Sequence, residues 1–175
     1  MNRFFSFVFV SCLLLQMVGC SEKVLNANQN RIAEKVENID LSNSKVFLYS
    51  VQPHGPAQNG DTFFHERSVL GLVEITSARE KAKLMSAFVK GIRKSDGHVG
   101  RCFNPRHGIR IVAGTTTNDF VICFECHWVL TFGFKVDNPV QGVWDPPGEV
   151  FPINESPSEV FNEFLDEYHI KKADE

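Results

Sequence analysis

Residues 106–127 read Arg-His-Gly-Ile-Arg-Ile-Val-Ala-Gly-Thr-Thr-Thr-Asn-Asp-Phe-Val-Ile-Cys-Phe-Glu-Cys-His. Two apolar, β-branched runs, Ile109 to Ala113 and Phe120 to Phe124, flank Gly114-Thr115-Thr116-Thr117-Asn118. A Gly/Thr/Asn break between two such runs is a hairpin signal. With the turn centred near Thr116, antiparallel pairing of Arg106 to Ala113 with Asp119 to Cys126 sets Arg106 opposite Cys126, His107 opposite Glu125 and Ile109 opposite Cys123. Cys102 then falls just beyond the ladder, close to Cys126. The fold and the chemistry both hang on this hairpin, because it makes one site of two motifs that are apart in sequence.

Working outward, Lys45 to Gln52 is β-branched and aromatic and predicts a first strand, and Val69 to Ile75 a second. Pro53 to Asp61 carries two prolines and two glycines and reads as a loop. Ser77 followed by Glu80 has capping-box spacing, and Ala78, Ala82, Met85, Val89 and Ile92 then recur at helical spacing up to Ser95-Asp96-Gly97. His127 to Val136 predicts a further strand, and Asp137 to Glu155, rich in proline and glycine, an irregular excursion. Ser156-Pro157-Ser158-Glu159 is a second capping box, with Val160, Phe161, Phe164, Leu165 and Tyr168 on one face behind it. The expected fold is a single α+β domain, an antiparallel sheet of about five strands packed with two main helices.

The N-terminus reads differently. Arg3 precedes an apolar run from Phe4 to Met17, too short to span a bilayer and followed by polar Ser21-Glu22-Lys23, so it has the form of a signal-peptide core. Met17-Val18-Gly19-Cys20 resembles the lipobox of bacterial lipoproteins, although Met17 stands where leucine is usual. The expected organisation is a signal peptide at 1–19, a lipidated N-terminus and flexible tether at 20–43, with a short helix near Arg31 to Glu37, and a globular domain at 44–175. Acyl chains on Cys20, each buried methylene contributing about 0.8 kcal/mol, would hold the chain to a membrane without crossing it. Ser21, not aspartate, after that cysteine implies transfer to the inner leaflet of an outer membrane, with the domain facing the periplasm. The chain's formal charge is -3 and it has no block of basic residues, which argues against a nucleic-acid partner.

Of the five cysteines, Cys12 leaves with the signal and Cys20 takes lipid. Cys102, Cys123 and Cys126 remain, and three readings of them stay open. A structural disulfide from Cys102 to Cys126 or Cys123 suits an oxidising compartment. A zinc site could be built from Cys102, His107, Cys123 and Cys126, a ligand set suited to tetrahedral Zn²⁺, although a straight strand would point Cys123 and Cys126 to opposite faces. Thiol chemistry at Cys126 or Cys123, activated by His107, Arg106 or His127, is the third. Packing as inert buried thiols is the bland alternative to all three.

The runs Cys102-Phe-Asn-Pro-Arg-His-Gly-Ile-Arg110 and Val121-Ile-Cys-Phe-Glu-Cys126, preceded by Leu48-Tyr49-Ser50 and Val69-Leu70-Gly71, resemble a group of uncharacterised bacterial lipoproteins and exported proteins. The resemblance covers roughly residues 45–132 and implies no established activity. Arg106 and Arg110 are candidate anion ligands, with pairing to Glu125 and to a carboxylate of the C-terminal region as the structural alternative. His65-Glu66 lacks the second histidine of a zinc-protease helix and reads as surface, and His54 and His98 read as solvated. Trp128 and Trp144 read as core aromatics. No phosphate-binding glycine loop, serine elbow or dinucleotide fingerprint is present, so a binding or structural module is favoured over an enzyme.

Overall fold

The computed structural model describes residues 27–53, 62–137, 139 and 147–173. The signal segment, Cys20, His54 and Trp144 lie outside the described residues. Within them the chain runs α1 (27–37), β1 (Ser44–Val51), β2 (Phe63–Phe64), β3 (Arg67–Ile75), α2 (Ala78–Arg93), β4 (His107–Ala113), β5 (Thr116–Cys123), β6 (Trp128–Phe132), β7 (Glu149–Pro152) and α3 (Ser158–Glu167). The strands form one curled antiparallel sheet of seven in the order β2-β3-β1-β4-β5-β6-β7. The expectation of a single α+β domain stands, with seven strands where about five were expected; α2 and α3 are the two main helices, and α1 covers the short helix expected near Arg31 to Glu37.

Side chains alternate across a strand, and here the alternation separates two cores. Val46 and Leu48 of β1, Ile109 and Ile111 of β4, Phe120 and Ile122 of β5 and Phe151 of β7 face the helices, meeting Phe88 and Ile92 of α2 and Phe161 and Leu165 of α3. Tyr49, Val51, Val121, Cys123, Trp128, Leu130 and Val150 face the other way. That second face is covered by the β2–β3 hairpin, which folds over it with Phe64 stacked on Tyr49 at 4.2 Å between ring centroids, and by Phe103, 4.1 Å from Trp128. Gly108 makes the first contact possible, since a Cβ there would lie 2.4 Å from the Phe64 ring.

The central hairpin forms in a tighter register than expected. Ala113 pairs with Thr116, Arg110 with Asp119 and His107 with Ile122, so the partner of His107 is three residues from the expected Glu125. Gly114, at φ +59°, takes a backbone conformation open to glycine, and the turn closes on Gly114-Thr115 alone. Thr116, Thr117 and Asn118 then enter the ladder, as β-branched threonine favours.

The helices start as their sequences dictate, with one exception. The Ser77 hydroxyl accepts from the Glu80 N–H and caps α2. At α3, by contrast, Pro157 occupies the cap position with no side-chain hydrogen bond, and Ser156 turns back to Asn154. The segment at 27–43 also departs from expectation. From residue 27 it is not a flexible tether: α1 buries Ile32, Ala33 and Val36 in the helix-side core, and Arg93 of α2 donates two hydrogen bonds to the Glu37 carboxylate, each 2.6 Å. β7 lies inside the stretch read as irregular, and β2 is a two-residue strand between the expected loop at Pro53 to Asp61 and the second strand, where no element was expected. Among the described residues no helix is long and apolar enough to cross a membrane.

Candidate functional site

The end of the sheet nearest α3 holds a pocket of about 580 Å³. Its floor comes from the helix-facing register. Ser50 follows Val46 and Leu48 on β1 and pairs with His107 on β4, so both are carried past the end of the apolar core. The walls are Asn104 and Arg106 before β4, Phe124 and Glu125 of the turn after β5, Glu155 before α3, Ser158, Asn162 and Leu165 of α3, and Lys172 and Ala173 of the final segment.

The chemistry at the floor is polar and buried. His107 is 6% exposed, and its Nε2–H donates to the side-chain amide oxygen (Oδ1) of Asn162 at 2.9 Å. Burial pushes the imidazole down to about 4; the Asn162 hydrogen bond opposes this, and the positive charges of Arg106 and Lys172 add to it. The ring is therefore neutral at physiological pH. Ser50 is fully buried, and its hydroxyl has no hydrogen-bond partner. Of the described side chains whose buried polar atoms lack a partner, Ser50 is the one that lines the pocket. Leaving a buried hydroxyl unpaired costs about 1–3 kcal/mol. A hydroxyl so placed in a cavity wall can be satisfied by a water or by a bound molecule.

At the rim, Arg106 donates to Glu125 at 2.8 Å, as the structural alternative for the arginines expected. The first turn of α3, uncapped by any side chain, also faces the pocket through Ser158. Backbone N–H groups and the positive end of the helix dipole there favour an anion.

Arg110, the other candidate anion ligand, is on the opposite face of the sheet. Its guanidinium makes two hydrogen bonds to Asp119, at 2.8 and 2.7 Å, and its pair with this carboxylate takes the place of the expected C-terminal one. His65 joins the same carboxylate at 2.7 Å and stacks on Phe132 at 3.7 Å. Burial works to raise the Asp119 carboxyl, but the hydrogen bonds from Arg110 and His65 outweigh it and hold the group below its ordinary value. His65, expected as plain surface, is thus part of a His–Asp–Arg cluster. Sequence reading missed it because the two partners are brought together only when the β2–β3 hairpin folds over the sheet.

The cysteines gather at the turn joining β5 to β6. Cys123 ends β5, the chain turns through Phe124 to His127, and Cys123 pairs with Trp128. The turn, with His127 at φ +60°, resolves the opposite-faces objection: Cys123 and Cys126 are joined in a disulfide with Cα atoms 5.2 Å apart. The expected Cys102–Cys126 bond is therefore not formed, although Cys102 Sγ lies 3.2 Å from Cys126 Sγ. The zinc set does not assemble. His107 faces the helices with its Nε2 on Asn162, Cys123 and Cys126 face the other core, and among the described residues no group of three or more His, Cys, Asp or Glu side chains could hold a metal ion. Trp128 is fully buried, with its indole N–H on the Cys102 carbonyl at 3.0 Å.

No family model matches the chain, and no curated protein matches it. Among solved structures it is similar to one described as "Putative Lipoprotein from Clostridium perfringens", at 14% identity, covering 82% of this chain and 93% of that one, with a TM-score of 0.38. That likeness is too low to assign a role to any residue.

Proposed function

We propose that this chain is a lipid-anchored, exported binding domain whose pocket between Ser50, His107 and α3 takes a small polar ligand bearing an acidic group. The buried Ser50 hydroxyl carries the reading, because the fold leaves it without a protein partner in a cavity wall where a ligand can satisfy it. Two features beside it favour an acidic group at one side of the pocket: the positive charges of Arg106 and Lys172 lower the His107 imidazole, and the α3 N-terminus has no side-chain cap; Glu125, which pairs with Arg106, and Glu155 bring the formal charge of the lining to balance. The anchor rests on the sequence at 1–20 and its lipobox ending at Cys20, and the inner leaflet of an outer membrane on Ser21.

Thermal melting with inorganic phosphate, a phosphate monoester, succinate and glutamate as probes tests the pocket. A ligand that binds only the folded state raises stability by about 2.7 kcal/mol at a hundredfold excess over Kd. At least one of these probes should raise the melting temperature in a dose-dependent way, and Asn162→Ala should remove the rise. No shift with any of them would count against an acidic ligand. Membrane fractionation of Cys20→Ala tests the anchor separately: the variant should leave the membrane fraction, and its retention there would contradict lipid attachment.

A further inference from the structure

The second core ends in an arrangement that the pocket does not use. Cys123 and Cys126 are each 1% exposed, while Cys102 carries an exposed free thiol whose sulfur is 3.2 Å from that of Cys126. The approach is built into the fold. The Gly100 N–H donates to the Cys126 carbonyl at 2.7 Å, the Trp128 indole N–H holds the Cys102 carbonyl, and Phe103 packs on Trp128. Backbone N–H groups also point at the sulfurs, Asn104 at Cys126 Sγ (3.3 Å) and Cys126 at Cys123 Sγ (3.1 Å). Donors so placed stabilise the Cys126 and Cys123 thiolates that attack in turn.

We propose that Cys102, Cys126 and Cys123 form a thiol–disulfide relay, in which Cys102 exchanges with disulfides outside the protein and Cys126 passes the bond inward to Cys123. In the reduced protein the Cys102 thiolate attacks an external disulfide R–S–S–R, forming R–S–S–Cys102 and releasing one thiolate. The Cys126 thiolate then attacks Cys102 Sγ, forming Cys102–S–S–Cys126 and releasing the second. Finally the Cys123 thiolate attacks Cys126 Sγ, forming the Cys123–Cys126 disulfide and returning Cys102 as a thiol. The external disulfide is reduced by two electrons and the relay is oxidised by two, with protons going to the released thiols. The roles follow from exposure, since an outside sulfur can reach Cys102 but not the buried pair. This relay does not depend on what the pocket binds.

The test starts from fully reduced protein and adds glutathione disulfide, with acid quenching, alkylation and mass spectrometry to locate each bond. Wild type should finish with Cys123–Cys126 and a free Cys102, both glutathione halves leaving as thiols. Cys123→Ser should stop at Cys102–Cys126, and Cys126→Ser should hold glutathione on Cys102. Cys102→Ser, a change at an exposed side chain, should oxidise about tenfold more slowly or worse, because a buried thiol reacts only through opening. Oxidation of Cys102→Ser at the wild-type rate, or lasting glutathione on Cys102 in Cys123→Ser, would overturn the relay. A parallel arm with a disulfide-bonded protein substrate separates sources: faster reaction there than with glutathione disulfide assigns a protein disulfide, and the reverse a small-molecule one. Reaction with neither removes the proposal.

Discussion

His107 shows how much one side chain can carry at the residue scale. It is held neutral by burial, with its pKa brought from 6.5 to about 4. The unfolded chain binds a proton at this position below about 6.5, and the folded chain only below about 4, so the unfolded state holds more protons in that window. Stability is therefore full above about 6.5 and falls as the pH drops towards 4, by up to about 3 kcal/mol from this group. Urea unfolding of wild type and His107→Gln at pH 7 and pH 5 checks this: the wild type should lose more stability between the two than the variant. Equal losses would place the acid sensitivity elsewhere. The sequence marked His107 as chemically interesting but could not say why, since its environment comes from Asn162, far along the chain on α3. Ser50 carried no signal at all; a serine in an apolar strand reads as a tolerated polar residue until the cavity beside it is seen.

At the scale of elements, the parts defined by local periodicity were legible. α2 follows from its Ser77 cap and its apolar stripe, and β1 and β3 from their β-branched runs. The hairpin existed as read, but its register was set by backbone chemistry at one glycine, which composition alone does not place. β7 was hidden by the prolines and glycines around it, because its place beside β6 is a tertiary fact. The small β2–β3 hairpin was hidden by its length, yet it covers the second core. Gly108→Ala tests that cover: the new Cβ would meet the Phe64 ring at 2.4 Å, so the hairpin must shift. A cost of about 1–3 kcal/mol in urea unfolding is expected, in the range of other overpacked sites. A neutral outcome would mean that Phe64 moves aside easily and that the second core does not depend on it.

For the whole molecule, residues packed into the core begin further toward the N-terminus than composition suggests. Residues 21–43 are polar enough to read as a tether, but Ile32, Ala33 and Val36 recur on one face of α1 and complete the helix-side core. The short helix expected near Arg31 to Glu37 has little stability alone; docking against the core supplies it. Ile32→Ala should cost about 2–4 kcal/mol by chemical denaturation, as for other buried large-to-small changes. A loss below about 0.5 kcal/mol, the size usual for surface sites, would restore the tether reading. The sheet itself acts as a partition. One face builds the pocket against α3 and the other encloses the Cys123–Cys126 disulfide, with the exposed Cys102 at its edge, and the turn from Phe124 to His127 contributes to both.

The central claim is that the fold keeps the Ser50 hydroxyl unpaired for a ligand, and the melting temperature of Ser50→Ala with and without a probe that stabilises the wild type tests it most directly. Removing an unsatisfied buried hydroxyl relieves its cost, so without probe the variant should melt at the wild-type temperature or above it. With probe, the stabilisation seen in the wild type should be lost or much reduced. A variant that melts lower without probe and keeps the full ligand shift would show that Ser50 serves the fold alone, and would contradict the account.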